Sequence, residues 1–174
     1  MIIRSHDFSL RPVTENDKHT LAHFANNEKI YNNVRDIFPF PYSVNDAENF
    51  IKSITENSQS PQTHFAIDIE GEAVGMIGLH QKSDVYIKNL ELGYWLGEPF
   101  WNKGIISEVV KLIVQHTFSN FDVNRIYAGV FQSNPASMRV LEKSGFKLEA
   151  VLKNSVIKNN IIMDECIYSI LKTK

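Results

Sequence analysis

The chain has 174 residues, 43% of them apolar, which suits one globular domain spanning 1–174 with a substantial core. Its 18 Lys plus Arg against 20 Asp plus Glu leave a net charge of −2, which argues against nucleic acid as a partner because no concentrated basic face is available for phosphates. Cys166 is a single cysteine, no Cys/His set has structural-zinc spacing, and neither a signal segment nor a membrane-length apolar run occurs, so a cytoplasmic protein with no metal and no membrane partner is expected.

In chain order, a short strand around Phe8 to Pro12 precedes Thr14 and Asp17, whose spacing predicts a capping box opening a helix with Leu21, Phe24 and Ala25. Ser43 and Asp46 open a second helix in the same way. Between them DIFPFPY, Asp36 to Tyr42, carries two prolines and three aromatics and reads as irregular, apolar backbone. HFAIDI and AVGMIGLH predict two strands joined by a tight turn at Glu70-Gly71-Glu72, and NLELGYWL a third. Ile105, Ile106, Val109, Val110 and Ile113 recur at helical spacing and predict a helix to about Phe118. RIYAGVF is a strand; Asn134-Pro135 is an N-cap followed by proline at the first helical position, and that helix ends at Gly145. FKLEAVLK and NIIMDECIYSIL are the last strands, turning at Asn159-Asn160. The order β-α-α-β-β-β-α-β-α-β-β predicts an α/β fold, a mixed sheet with helices on both faces.

The stretch GEPFWNKGIISEVVKLI joins a glycine-bearing loop to a helix with no linker. A helix N-terminus has unpartnered N–H groups and about half a positive charge, so amides from Asn102 to Ser107, with Lys103 nearby, suit a phosphate or pyrophosphate. Gly104 admits the ligand without a Cβ in the way. The glycine spacing of a P-loop or a dinucleotide-binding turn is absent, and on the loop alone a plain strand-to-helix turn is an equal reading.

The run ELGYWLGEPFWNKGIISEVV resembles motif A of the GNAT acyltransferases, and its ELGYW opening resembles the RimJ and RimL type, the ribosomal-protein N-terminal acetyltransferases. The run NPASMRVLEKSGFKLEAVLK is similar to motif B of the same family. The resemblance extends from about Leu10 to Leu171 and implies the GNAT fold, whose central mixed sheet is mostly antiparallel. It implies acetyl-CoA as cosubstrate, with its pyrophosphate on the amides of Asn102, Lys103, Gly104, Ile105, Ile106 and Ser107. The pantetheine arm is implied to run beside Tyr94, Trp95 and Leu96, where that strand splays from Arg125–Phe131. Three positions depart from the family pattern: Trp101, itself a candidate cofactor contact, replaces a glutamine or arginine at the start of the phosphate loop, Ile106 stands two places after Gly104 where a small residue is usual although the RimL-like branch tolerates Ile, and Val156 stands where some members carry an acidic base.

Acetyl transfer to an amine needs a neutral amine, a stabilised oxyanion and a proton for the departing thiolate. An α-amine with a pKa of about 7.7–8.0 is partly neutral near pH 7, so an N-terminal acceptor demands less of a base than lysine does. The strand N–H of Trp95 or Leu96 is a candidate oxyanion donor. The resemblance gives Ser137 the role of acid, although a first-turn hydroxyl also serves simply to satisfy helix amides. Asn134 is both an N-cap and, by resemblance, a pantetheine contact. Glu91 points to the same strand face as Trp95 and is a candidate for ordering water near the amine; its alternative is a paired charge at the sheet rim. His80, at a strand end, is a second candidate, with a purely structural alternative. Phe38, Phe40 and Tyr42 are candidates for shaping the acceptor groove. His19 and His23, at i, i+4 without a third ligand, and Cys166, with nothing to lower its pKa, read as structural.

The expected activity is direct acetyl transfer from acetyl-CoA to a primary amine, preferably a protein N-terminus, by a monomer or homodimer. Alternatives are a small-molecule acceptor such as a polyamine, an amino sugar or an antibiotic, a CoA-binding sensor without transfer, and a nucleotide phosphotransferase using the same helix end.

Overall fold

Strands β1 (Ile3–Arg4) and β2 (Ser9–Arg11) lead to Thr14, where the predicted capping box forms. The Asp17 carboxylate accepts from the Thr14 backbone N–H at 2.7 Å and from its hydroxyl at 3.0 Å. In this computed structural model, which describes residues 2–56 and 62–173, a 3-10 turn at Glu15–Asp17 then runs into helix α1 (Lys18–Ala25). A short helix α2 (Glu28–Tyr31), capped by the Asn27 side chain on the Lys29 N–H, was not legible as a separate element because it is only one turn long. Helix α3 (Val44–Glu56) opens at Ser43, whose backbone N–H donates to Asp46 at 2.8 Å. DIFPFPY between α2 and α3 is irregular, as its prolines require, and Phe40-Pro41 is cis.

Strands β3 (His64–Ile69) and β4 (Glu72–Gln81) form the predicted hairpin, with Glu70 at φ 55° and Gly71 at φ 89° in the turn. Strand β5 (Asn89–Leu96), helix α4 (Ile105–Asn120), strand β6 (Arg125–Phe131) and helix α5 (Pro135–Lys143) follow where periodicity and caps place them. Strand β7 (Lys147–Lys158) runs past the predicted end because register shifts between Leu148 and Ala150 and between Leu152 and Val156 absorb the mismatch, with Asn154 at φ 51° inside the second. Asn159 and Asn160, at φ 50° and 61°, turn the chain into strand β8 (Ile161–Leu171).

The eight strands take the order β1-β2-β3-β4-β5-β6-β8-β7. Pairing is antiparallel for β1–β2, β2–β3, β3–β4, β6–β8 and β7–β8 and parallel for β5–β6, so the sheet is mixed.

By contacts the chain forms two compact units, Met1–Gly78 with Tyr94–Val109, and Leu79–Gly93 with Val110–Lys174. In the first, Leu21, Ala25, Ala47, Ile51, Ala66 and Met76 form a buried cluster against which Phe38 and Trp95 pack. Arg11 ties its strand to the capping box: it donates to both Asp17 oxygens at 2.7 and 2.8 Å and to Asp68 at 2.6 Å. In the second unit the alternation of β6 buries Ile126, Ala128 and Val130 and turns Arg125, Tyr127, Gly129 and Phe131 to the other face. Cys166 is buried in β8, and burial pushes its thiol pKa up, which suits a packing residue. The Tyr168 hydroxyl, pushed up to about 12 by burial and by its bond to Glu142, donates to that carboxylate at 3.0 Å.

Gly75 of β4 is fixed by a close approach. A Cβ there would lie 2.5 Å from the Trp95 carbonyl oxygen and 3.0 Å from the Leu96 Cα, both backbone atoms that cannot swing away. Gly75→Ala is expected to lower stability by about 1–3 kcal/mol through this overpacking. The check is a urea titration, in which the midpoint falls with the slope unchanged.

Candidate active site

In the first unit, β5 ends at Leu96 and a 3-10 turn at Glu98–Phe100 carries the chain into the loop before α4. Two bonds fix this loop: the Gly97 N–H donates to the Val74 carbonyl at 2.8 Å, and the Trp101 indole N–H donates to the Leu96 carbonyl at 2.6 Å. Trp101 therefore anchors the loop, with its one polar hydrogen engaged. The chain then passes through Asn102 at φ 61° and Gly104 at φ 80°. The first bond of the α4 ladder runs from the Glu108 N–H to the Gly104 carbonyl at 3.3 Å, so the Ile105 and Ile106 amides lie ahead of any intrahelical acceptor.

Asn102, Lys103 and Gly104 are exposed, and nothing lies within 4 Å of a Cβ built on Gly104. The left-handed φ of Gly104 favours glycine at this position. Exposed backbone ahead of the positive end of a 16-residue helix, with the Lys103 ammonium 5.5 Å from the Phe100 ring centre, suits a pyrophosphate.

The aromatic loop belongs to the same unit. Trp95 meets Phe38 edge-on at 5.9 Å, Phe38 lies 4.7 Å from Tyr42, and Phe40 stacks on Tyr31 at 5.5 Å. Tyr42 is buried, and burial followed by the Asp46 charge pushes its hydroxyl up to about 12. Phe40, 41% exposed, is the member of the three that faces outward most. Tyr94 is half-buried and Leu96 buried. The two α1 histidines are exposed, His23 with its ring against Phe24, and among the described residues no three His, Cys, Asp or Glu side chains gather as a metal site.

In the second unit, β5 and β6 pair in parallel at Asn89↔Arg125, Leu90↔Ile126 and Glu91↔Tyr127, and the described pairing stops there although both strands continue. Glu91 is ion-paired with Lys82, whose ammonium also lies 5.6 Å from the Tyr127 ring centre and is held above the usual lysine value by Glu91 and then Tyr127. His80 is exposed, and its Nε2 lies 3.9 Å from where a Cβ on Gly93 would be. At the far end of β6 the Asn134 N–H donates to the Phe131 carbonyl at 2.8 Å, and the Asn134 side chain accepts from the Ser137 N–H at 3.1 Å, so the predicted N-cap forms. Ser137 sits half-buried in the first turn of α5. Val156 is opposite Met163 in the β7–β8 pair.

Sequence reading missed Lys82 as the partner of Glu91, and it missed Glu165, whose carboxylate collides with any Cβ built on Gly129. An isolated glycine inside the RIYAGVF strand was the signal available for the second, since such glycines mark close approach.

Residues 7–147 match the acetyltransferase (GNAT) domain family. The chain belongs to the GNAT family of acetyl-CoA-dependent N-acetyltransferases. Among curated GNAT relatives it is 37% identical to the uncharacterized N-acetyltransferase YoaA of Bacillus subtilis, over 59% of this chain and 58% of that protein, which is under two thirds of YoaA's length. It is 27% identical to the ribosomal-protein-serine acetyltransferase of Escherichia coli over 95% and 93% of the two chains, and 23% identical to the spermidine N(1)-acetyltransferase of the same organism over 89% and 81%. Among solved GNAT structures, the RimL ribosomal L7/L12 α-N-protein acetyltransferase in complex with coenzyme A superposes with a TM-score of 0.87 at 22% identity, covering 98% of each chain. The microcin C7 self-immunity acetyltransferase MccE in complex with acetyl-CoA and AMP gives 0.83 at 23% identity, covering 97% of this chain and 94% of that one. The GNAT fold read from motifs A and B is the fold found. No helix among the described residues is long and apolar enough to cross a membrane.

Proposed function

We propose that this GNAT enzyme acetylates the α-amine of a protein N-terminus. The observation that carries the donor half is the open set of amides at the start of α4, reached through left-handed Asn102 and Gly104. The acceptor half is supported by the near full-length relative that is a ribosomal-protein-serine acetyltransferase, and by the lower demand that an α-amine makes on a base.

In this reading the amides from Asn102 to Ser107, with Lys103, hold the pyrophosphate, and Tyr94, Trp95 and Leu96 hold the pantetheine arm, with a Trp95 or Leu96 N–H polarising the carbonyl. Bound acetyl-CoA supplies an activated acyl group and a thiolate leaving group. Asn134 orders the start of α5 and the arm, and Ser137 delivers the proton to sulfur. Glu91, held by Lys82, and His80 order water at the amine. Phe38 and Phe40 line the acceptor approach, with buried Tyr42 supporting them.

A second reading, acetylation of a small amine such as a polyamine, is favoured by the spermidine N(1)-acetyltransferase relative. Thiol release from acetyl-CoA, measured with a serine-initiated hexapeptide and with spermidine, separates the two. Acetyl-CoA binding without release from any amine supports the sensor reading instead. Ser137→Ala is expected to lower kcat by about tenfold or more with acetyl-CoA affinity unchanged, and an unchanged kcat removes Ser137 as the acid.

A further inference from the structure

Four carboxylates on or beside the strands of the second unit have cationic partners. Glu91 pairs with Lys82, Asp122 with Lys88, Glu149 with Arg125, and Asp164 with Lys153. Glu165 differs: among the described residues nothing donates to its carboxylate, and no cation is paired with it. It is half-buried on β8, directly across from Phe131 on β6. Phe131 and Gly129 point to one face of β6, so Glu165 shares that face, and its side chain folds back over Gly129, with the carboxyl carbon 3.0 Å from where a Cβ would be.

Gly129 lies beyond the last described pairing of β6 with β5. The described pairing of β5 with β6 ends at Glu91↔Tyr127, two residues before Gly93 on one strand and Gly129 on the other. Both glycines are exposed, so neither contributes a side chain. The His80 imidazole lies beside Gly93, and the Glu165 carboxylate lies over Gly129. Ser137 is tied to the same end of β6, through the Asn134 side chain and the Asn134 bond to the Phe131 carbonyl. An unneutralised carboxylate beside exposed main chain is suited to one class of ligand, an ammonium group brought from outside.

We propose that Glu165 binds the acceptor amine of the transfer reaction and takes its proton. This rests on the acetyltransferase reading above. The amine, held first as an ammonium by the carboxylate, gives one proton to it and becomes nucleophilic. The N–C bond forms at the thioester carbonyl, the C–S bond breaks, the second nitrogen proton required for a neutral amide leaves to solvent water, sulfur takes a proton from water through the Ser137 hydroxyl, and Glu165 returns its proton to solvent.

Glu165→Gln keeps the shape and removes the charge. With the full chain and the serine-initiated hexapeptide or spermidine as acceptor, kcat/KM for the amine is expected to fall about a hundredfold, with acetyl-CoA affinity unchanged. The Glu165→Gln rate should rise steeply with pH as the free amine deprotonates, whereas the wild type, which takes up the ammonium form, should show a flatter rise over the same range. Glu165→Asp should recover part of the loss. Calorimetric titration of the same acceptor into the enzyme–CoA complex, where no transfer occurs, should show weakened binding for Glu165→Gln. Gly129→Ala, whose Cβ displaces the carboxylate, should reproduce the defect. A Glu165→Gln enzyme with wild-type kcat/KM, pH profile and acceptor binding overturns this assignment alone. A wild-type enzyme that transfers acetyl to neither probe nor to any other amine overturns the parent reading and this one with it.

Discussion

Gly104→Val is expected to weaken acetyl-CoA binding about a hundredfold while the chain still folds. The residue sits at φ 80°, a conformation that costs a β-branched side chain about 1–2 kcal/mol, so the loop moves off its left-handed geometry and the proposed pyrophosphate amides are displaced. Charge-assisted hydrogen bonds are worth about 1.5–3 kcal/mol each, so losing one or two of them reaches the hundredfold range. The fold survives because nothing within 4 Å opposes the new Cβ, and the strain is confined to an exposed loop held on one side by Trp101 and Leu96. The check is a thermal melt with and without acetyl-CoA: the cosubstrate raises the wild-type Tm, and for Gly104→Val the apo Tm moves only a few degrees while the ligand-induced rise disappears. Wild-type affinity in Gly104→Val would mean that the diphosphate binds elsewhere.

Asp17→Ala is expected to destabilise the fold by about 2–4 kcal/mol. The carboxylate is buried and serves two structures at once, capping the 3-10 turn through Thr14 and receiving both guanidinium bonds of Arg11. Loss of a cap costs about 1 kcal/mol, and breaking a buried pair costs up to about 3–5. The latter is discounted here because Arg11 retains Asp68. A loss of this size corresponds to a Tm drop of about 4–16 °C in a chain of this length. Burial acts to raise the Asp17 pKa, but the Arg11 and Thr14 hydrogen bonds outweigh it and hold the carboxyl below 3.8. The folded value is depressed, so this contribution is fully present above about pH 4 and disappears as pH falls through the folded value. Urea titrations at pH 7 and pH 3 test the sign: the gap in stability between wild type and Asp17→Ala should narrow at the lower pH. A gap that is independent of pH would assign the loss to packing alone.

Much of the secondary structure was legible because its signals are local. Capping boxes at Thr14 and Ser43, Asn134-Pro135, the turn glycine Gly71 and the asparagine pair at 159–160 act over three or four residues, and each forms as read. The boundaries that drifted are those set by partners, as in β7, where bulges extend the pairing with β8.

By itself, the sequence determined most of the order of elements, because short-range hydrogen bonding and apolar periodicity specify it, and the two motifs that mark the family, because residue identity carries them; the one-turn α2 and the two-residue β1 are too short to leave such a signal. Tertiary structure alone decided which charged groups are neutralised and which are available. Lys82 reaches Glu91, Tyr42 turns inward while Phe40 stays out, and Glu165 comes to lie over Gly129 because β6 pairs with β8. Such outcomes depend on strand register between segments distant in the chain, and no local pattern encodes register.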